Sequence, residues 1–164
     1  MIFLTIGTHE PFDRLVRAVD DWAGANPDAE VFGQITERGA DSYVPRHFAW
    51  VARIGPHEYR AKVKAAEFLV AHAGMGSIIT ALRAAKPIVV MPRRGDLAET
   101  RNDHQLATAA KLATKPGIFV AATEADLPAL LDAVRAGGGQ LSAAVISPFA
   151  QADLVDALRR LIFS

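Results

Sequence analysis

The sequence has no cysteine, so neither a disulfide framework nor thiolate chemistry is open to it. It has no surplus charge either: lysine and arginine number 18, and so do aspartate and glutamate. That balance argues against a nucleic-acid binder, whose affinity comes from a basic surface that neutralises phosphates. Long hydrophobic runs are missing. The longest uncharged stretch, residues 68–82, is shorter than the ~20 residues that cross a bilayer, and it contains His72. The opening Met1-Ile2-Phe3-Leu4-Thr5-Ile6-Gly7 lacks the basic segment and apolar core of a signal peptide. The expectation is a cytoplasmic chain whose association with a membrane is peripheral or borrowed from a partner.

What is present suits one domain spanning residues 1–164. Hydrophobic residues make up 51% of the sequence, enough for a buried core. Residues 2–6 form a short apolar, β-branched run stopped by a glycine, which reads as a buried strand. From Phe12 onward Leu15, Val16, Val19 and Trp22 recur at helical spacing with charged residues between them. The same reasoning gives strands at 30–35, 48–54, 68–71, 87–91 and 118–121. Helices fall at 57–66, opened by Pro56, and at 77–85, 102–113 and 124–136. Strands alternating with helices imply an α/β fold with a parallel sheet covered on both faces. Such sheets bind ligands in the loops at the carboxyl ends of their strands.

Three of those loops carry unusual residues. The first is Gly7-Thr8-His9-Glu10-Pro11, where a glycine admits close backbone approach and Thr8 adds a hydroxyl. Read alone it is a tight turn capped by Thr8 or Asp13. The second is His72-Ala73-Gly74-Met75-Gly76-Ser77, before a helix that is apolar on nearly every side. Two glycines and a serine at a helix N-terminus make a cradle for a diphosphate, because the first N–H groups of a helix have no internal partner. The competing reading is close helix–sheet packing. The third loop runs Pro92-Arg93-Arg94-Gly95-Asp96 and on to Asn102-Asp103-His104-Gln105. Asn102 or Asp103 is the expected helix cap, and His104 and Gln105 are expected to face the second loop and meet sugar hydroxyls. Arg93 and Arg94 suit a carboxylate-bearing sugar or a solvated loop.

Other nucleotide chemistries fit less well. No Gly-x-x-x-x-Gly-Lys-Ser/Thr is present, which excludes a P-loop. Gly74 and Gly76 match the first two glycines of a dinucleotide fingerprint, but Ile79 stands at the third. No carboxylate or histidine stands at metal-ligand spacing from His72 or His104, so no metal or other cofactor is expected.

The segments His72–Ser77, Lys86–Arg93 and Asn102–Gln105, together with Phe3–Thr8 and Phe12–Val16, resemble the C-terminal domain of glycosyltransferase family 28. The likeness covers residue 1 to about residue 135 and is strongest to small stand-alone members of the bacterial exopolysaccharide type. The resemblance implies a Rossmann-like domain equivalent to the donor-binding half of a GT-B enzyme. It further implies a UDP-sugar donor, a lipid-linked saccharide acceptor, and a membrane-anchored partner chain that binds that acceptor. Transfer would invert the anomeric centre without a metal. The donor site it implies comprises Gly7, Thr8, His72, Gly74, Met75, Gly76, Ser77, Thr80, Arg93, Asn102, His104 and Gln105. Thr80 stands where larger relatives carry a ribose-gripping glutamate, a departure that leaves ribose recognition open. His9 and Glu10 are the candidate bases, unless the partner supplies one. A nucleotide-sugar-binding regulatory subunit needs the same loops and remains the alternative; a nicotinamide-dinucleotide domain is a more distant one.

After the glycines at 137–139, Leu154, Val155, Leu158, Leu161 and Ile162 recur at intervals of three and four. A helix over 149–163 is expected there, folded onto its own sheet or docked on the partner.

Overall fold

The computed structural model describes residues 1–36, 42–101 and 103–137. Its strands are β1 (Ile2–Thr5), β2 (Val31–Gln34), β3 (Ala49–Val51), β4 (Leu69–His72), β5 (Ile88–Met91) and β6 (Ile118–Val120). Its helices are α1 (Asp13–Ala25), α2 (Pro56–Ala65), α3 (Met75–Arg83), α4 (His104–Leu112) and α5 (Leu127–Gly137). All strand pairs are parallel, in the order β3-β2-β1-β4-β5-β6. The chain builds outward from β1 to β3, then crosses back through α2 and starts again at β4. The direction of winding therefore reverses between β1 and β4, which opens a crevice above their carboxyl ends.

Alternation along each strand feeds two apolar layers. Ile2 and Leu4 of β1, with Val70 and Met91, pack against α1 and α5. Phe3, Leu69, Ala71, Ile88 and Val90 face the opposite way, onto Val63 of α2, Ile78 and Leu82 of α3, and Ala109 of α4. Both faces are covered, as the apolar strands required.

The sequence places every one of these elements, and the differences lie at their ends. The helix expected from residue 77 begins at Met75, so Met75 and Gly76 belong to its first turn. The helix expected from residue 102 begins at His104. The helix expected over 149–163 and Asn102 lie outside the described residues. Among the described residues no helix is long and apolar enough to cross a membrane.

Asp20 looks in sequence like one polar residue of an amphipathic helix, yet it is fully buried. Its carboxylate accepts the Tyr43 hydroxyl at 2.7 Å and the N–H groups of Arg46 and His47 at 3.0 and 2.8 Å. Burial alone would raise its pKa, but these donors outweigh burial and hold it below the usual carboxylate value. The chain entering β3 is thereby pinned to α1. Trp22 Nε1 donates to Asp132 at 2.8 Å and ties α1 to α5 in the same layer.

The end of α3 is closed by an alanine in a conformation that favours glycine. Ala85 has φ of +53°, while Ala85 N and Lys86 N donate to Leu82 O at 3.2 Å and Ala81 O at 2.9 Å. That is the double-bonded left-handed termination usually made by glycine. Ala85→Gly should therefore raise stability by about 1 kcal/mol, read as a higher urea midpoint at unchanged slope. A lower midpoint would contradict the strain assigned to this residue.

Candidate functional site

The crevice is built from the ends of β1, β2 and β4. Gly7 follows β1 with φ of +81°, which turns the chain toward the site and favours glycine there. Its carbonyl is held by Gln34 Nε2 at 3.1 Å and by the Thr36 hydroxyl at 2.8 Å. Gln34 also donates to Ala52 O at 3.0 Å and accepts from the buried Thr5 hydroxyl at 2.8 Å. One glutamine thus locks together the carboxyl ends of β1, β2 and β3.

His72, the last residue of β4, fills the space between two glycines. A methyl group on Gly7 would lie 3.2 Å from His72 Cε1, and one on Gly74 would lie 2.2 Å from Nε2. The first turn of α3 follows. Gly74 is its N-cap and supplies no side-chain hydrogen bond. The N–H groups of Met75, Gly76 and Ser77 point along the helix axis with no intrahelical acceptor. A side chain on Gly76 would meet nothing within 4 Å. This helix end is left open toward the crevice, the geometry that accepts an anion.

A groove of about 970 Å³ begins here and continues between α2 and α3. Gly7, Thr8 and His9 line its mouth with His72, Gly76 and Ser77. Ile54 and Val63 give it an apolar wall, and Tyr59 contributes a hydroxyl within hydrogen-bonding reach of Ser77 and Thr5. Burial raises the Tyr59 pKa, with those two hydrogen bonds opposing it, so the phenol is a neutral donor and acceptor at physiological pH. Thr80 also lines the groove; its hydroxyl donates back to Gly76 O at 2.7 Å and has only acceptor capacity left for a ligand.

Burial, reinforced by the positive charge of Arg93, lowers the His72 pKa to about 4, while a hydrogen bond with the Thr5 backbone opposes the shift. The ring is therefore neutral above that pH. Its Nδ1 is buried without a partner among the described residues. A neutral imidazole holds one N–H and one acceptor nitrogen, so His72 shapes this end of the groove without adding a cation to it. The linkage follows from the sign of the shift. A folded-state pKa depressed from 6.5 contributes stability in full above pH 6.5, lost as pH falls toward 4. An NMR titration of the His72 ring should show the midpoint near pH 4. A midpoint at the ordinary histidine value would remove the buried, Arg93-facing environment from the account.

The third loop is organised by two arginines for structure. Arg93 is buried, and its guanidinium donates to Ile6 O at 3.0 Å, Glu10 O at 2.7 Å, Pro11 O at 2.5 Å and Glu99 O at 3.3 Å. It also lies 4.6 Å from the Phe12 ring centre. Arg14 of α1 forms a two-pronged pair with Glu99 at 2.8 Å and 2.8 Å and reaches Pro92 O at 3.0 Å. The Glu99 carboxylate holds Arg14 protonated well above its ordinary range. Arg94 pairs with Asp96 at the surface.

These contacts correct several expectations. The four N–H donors on the two terminal nitrogens of Arg93 are taken by carbonyls, three of them more than 80 residues earlier and one at Glu99. Gln105 faces Arg93, whose N–H it accepts at 3.1 Å, and it does not line the groove. Asp103 occupies the cap position of α4, but its carboxylate accepts Gly95 N at 2.9 Å instead. Thr8 and Asp13 do not cap α1, whose N-cap is Phe12; Asp13 accepts Tyr43 N at 3.1 Å. His104 is exposed at the start of α4, and Met75 is half exposed; neither lines the groove. Gly74 stays outside the lining but is required by the His72 ring, and Glu10 contributes its carbonyl to Arg93.

The structure thus brings Gly7, Thr8, His9, His72, Gly76, Ser77 and Thr80 to one groove. Sequence reasoning missed Thr5, Gln34 and Tyr59. The available signal was a polar residue at the carboxyl end of an otherwise apolar strand, as at Thr5 and Gln34. Among the described residues no cluster of three metal-ligating side chains occurs.

The reversal of a six-stranded parallel sheet above an open helix end defines a Rossmann-like α/β domain of the kind found in GT-B glycosyltransferases. The chain belongs to the glycosyltransferase family 28 C-terminal domain family, whose model matches residues 1–136. No curated protein gives a significant sequence match. Among solved structures, that of ALG13 is similar over 96% of this chain and 93% of its own, with 18% identity and a TM-score of 0.61. MurG of Acinetobacter baumannii matches over 99% of this chain and 49% of its own, with 18% identity and a TM-score of 0.61. The glycotransferase of kitacinnamycin matches over 97% of this chain at 23% identity and a TM-score of 0.58, and this chain spans 38% of its length. At these identities the likeness establishes the fold.

Proposed function

We propose that the chain is the donor-binding subunit of an inverting glycosyltransferase, taking a UDP-sugar and acting with a membrane-anchored partner on a lipid-linked saccharide in exopolysaccharide synthesis. The observation that carries this reading is the uncapped end of α3. Three N–H groups, a glycine with open space above it, and a neutral histidine converge where the sheet reverses. Family membership supports a role in sugar transfer, and this chain spans 49% of MurG and 38% of the kitacinnamycin enzyme, which leaves room in a working enzyme for a second, acceptor-binding part.

In this mechanism an acceptor hydroxyl attacks the anomeric carbon while the bond to UDP breaks. The charge developing on the leaving diphosphate meets fixed donors at Gly76, Ser77 and Thr8, which need no reorganisation during the step. His9 lines the mouth of the groove, 3.4 Å from the Thr8 hydroxyl through Nδ1, and is placed to accept the acceptor's proton. The partner is the other source of a base.

Because backbone donors do the work of a cation, EDTA should change UDP affinity by less than about twofold. A strict requirement for magnesium or manganese would sink this mechanism. Radiolabelled sugar transfer assayed with and without the partner separates the subunit from a regulatory binding protein. Transfer only with the partner present supports the subunit; binding without transfer in its presence supports the regulator.

A further inference from the structure

The groove does not end at Thr80. It runs on between the later turns of α2 and α3, where Arg60, Lys64, Arg83 and Lys86 line it. Among the described residues no aspartate or glutamate lines it anywhere, in a chain whose charges balance at 18 against 18. The cationic side chains at this end divide into two groups. Lys86 donates to Ala66 O at 2.6 Å, and Lys62 sits 3.5 Å from the Phe32 ring centre, so both are engaged in the fold. Arg60, Lys64 and Arg83 make no hydrogen bond or ion pair with a described residue. The nearest acids in sequence are Glu58, in the first turn of α2 and outside the groove's lining, and Glu67, which pairs with the N-terminal ammonium.

A basic residue in the last turn of a helix complements the helix dipole, which accounts for Lys64 and Arg83 as residue types. It does not account for Arg60, in the middle of α2, nor for two helices turning their cations onto one concave surface free of carboxylates. Like charges gathered in a groove with apolar walls repel one another unless an anion joins them, and such a groove concentrates anions. The distance along α3 from Gly76 to Arg83 is seven residues, about 10 Å, so this cluster and the open helix end cannot share one phosphate group.

We propose that Arg60, Lys64 and Arg83 form a second anion subsite, separate from the cradle at Gly76 and Ser77, that takes a phosphate group. The proposal stands apart from the UDP-sugar reading, since it rests on other residues at the far end of the groove. Arg60 and Arg83 offer planar forks that can grip two phosphate oxygens at once, and Lys64 adds a point charge. The phosphate could belong to a soluble ligand or to the headgroup of an anionic phospholipid, and both present the same chemistry.

The test uses the full-length ¹⁵N-labelled chain saturated with UDP, titrated with inorganic phosphate at constant ionic strength. Saturable shifts should appear at the amides of residues 60–64 and 83–86. The triple variant R60Q/K64Q/R83Q should lose at least about tenfold in phosphate affinity while UDP affinity stays within about twofold. Phosphatidylglycerol vesicles form the second arm. Vesicle binding that the triple variant loses assigns the subsite to a lipid headgroup; phosphate binding without vesicle binding assigns it to a soluble ligand. Phosphate shifts confined to residues 7–8 and 74–77, or affinity unchanged in the triple variant, overturn the proposal.

Discussion

Gly76→Val should lower UDP affinity by about a hundredfold or more while leaving the chain at least as stable as before. Gly76 lies in the first turn of α3, where valine is a somewhat better helix former than glycine. A Cβ there meets nothing within 4 Å, so no neighbour has to move. The space it would fill is the space a diphosphate needs to reach the free N–H groups of the turn. Isothermal calorimetry and urea unfolding on the same samples separate the two effects. Unchanged affinity in a folded Gly76→Val protein would remove the cradle from the account. The neighbouring glycine behaves differently. A Cβ on Gly74 would lie 2.2 Å from His72 Nε2, so Gly74→Val must displace the histidine and costs stability as well as binding. Gly74 is required for packing, and Gly76 for access.

Arg93→Met should destabilise the chain by about 3–5 kcal/mol, the range for removing one partner of a buried charged interaction. Against a total stability of about 5–15 kcal/mol, that leaves the protein close to unfolding. The variant strands four backbone carbonyls, three of them in or beside the turn that carries Thr8 and His9. Nucleotide binding should fall with stability. Arg93→Lys should recover only part of the loss, because an ammonium cannot span acceptors that a guanidinium fork reaches together. If Arg93→Met unfolded at the wild-type urea concentration and lost only discrimination among sugars, the arginine would be a ligand-binding group after all.

The contrast between those two residues explains what was legible in the sequence. Gly7, Gly76 and Ser77 announce themselves locally, because a strand, a glycine and a helix start stand within a few residues of one another. The sheet was readable for the same reason: runs such as Ile88-Val89-Val90-Met91 are apolar on both faces only where helices cover both. Arg93 gives no such signal. It looks like a charged loop residue, and only the fold brings it to Ile6, Glu10 and Pro11, more than 80 positions earlier. Gln105 is a related case, since its side-chain oxygen is held by the Arg93 backbone and it stands outside the groove's lining. Asp20 is the third case. Its place between apolar residues suggested a solvated face, and its true partners are two N–H groups and a phenol from the segment before β3. Long-range polar pairing of this kind leaves no periodicity for a sequence argument to detect.

The most direct test of the account is a titration of the full-length chain with UDP, followed residue by residue through its amide resonances. The account predicts saturable binding in the absence of metal, with the largest shifts at Gly7, Thr8, Gly76 and Ser77 and smaller ones along the groove at Tyr59 and Thr80. Shifts centred on Arg94, His104 and Gln105 with the groove residues unmoved, or no binding at millimolar UDP, would contradict it.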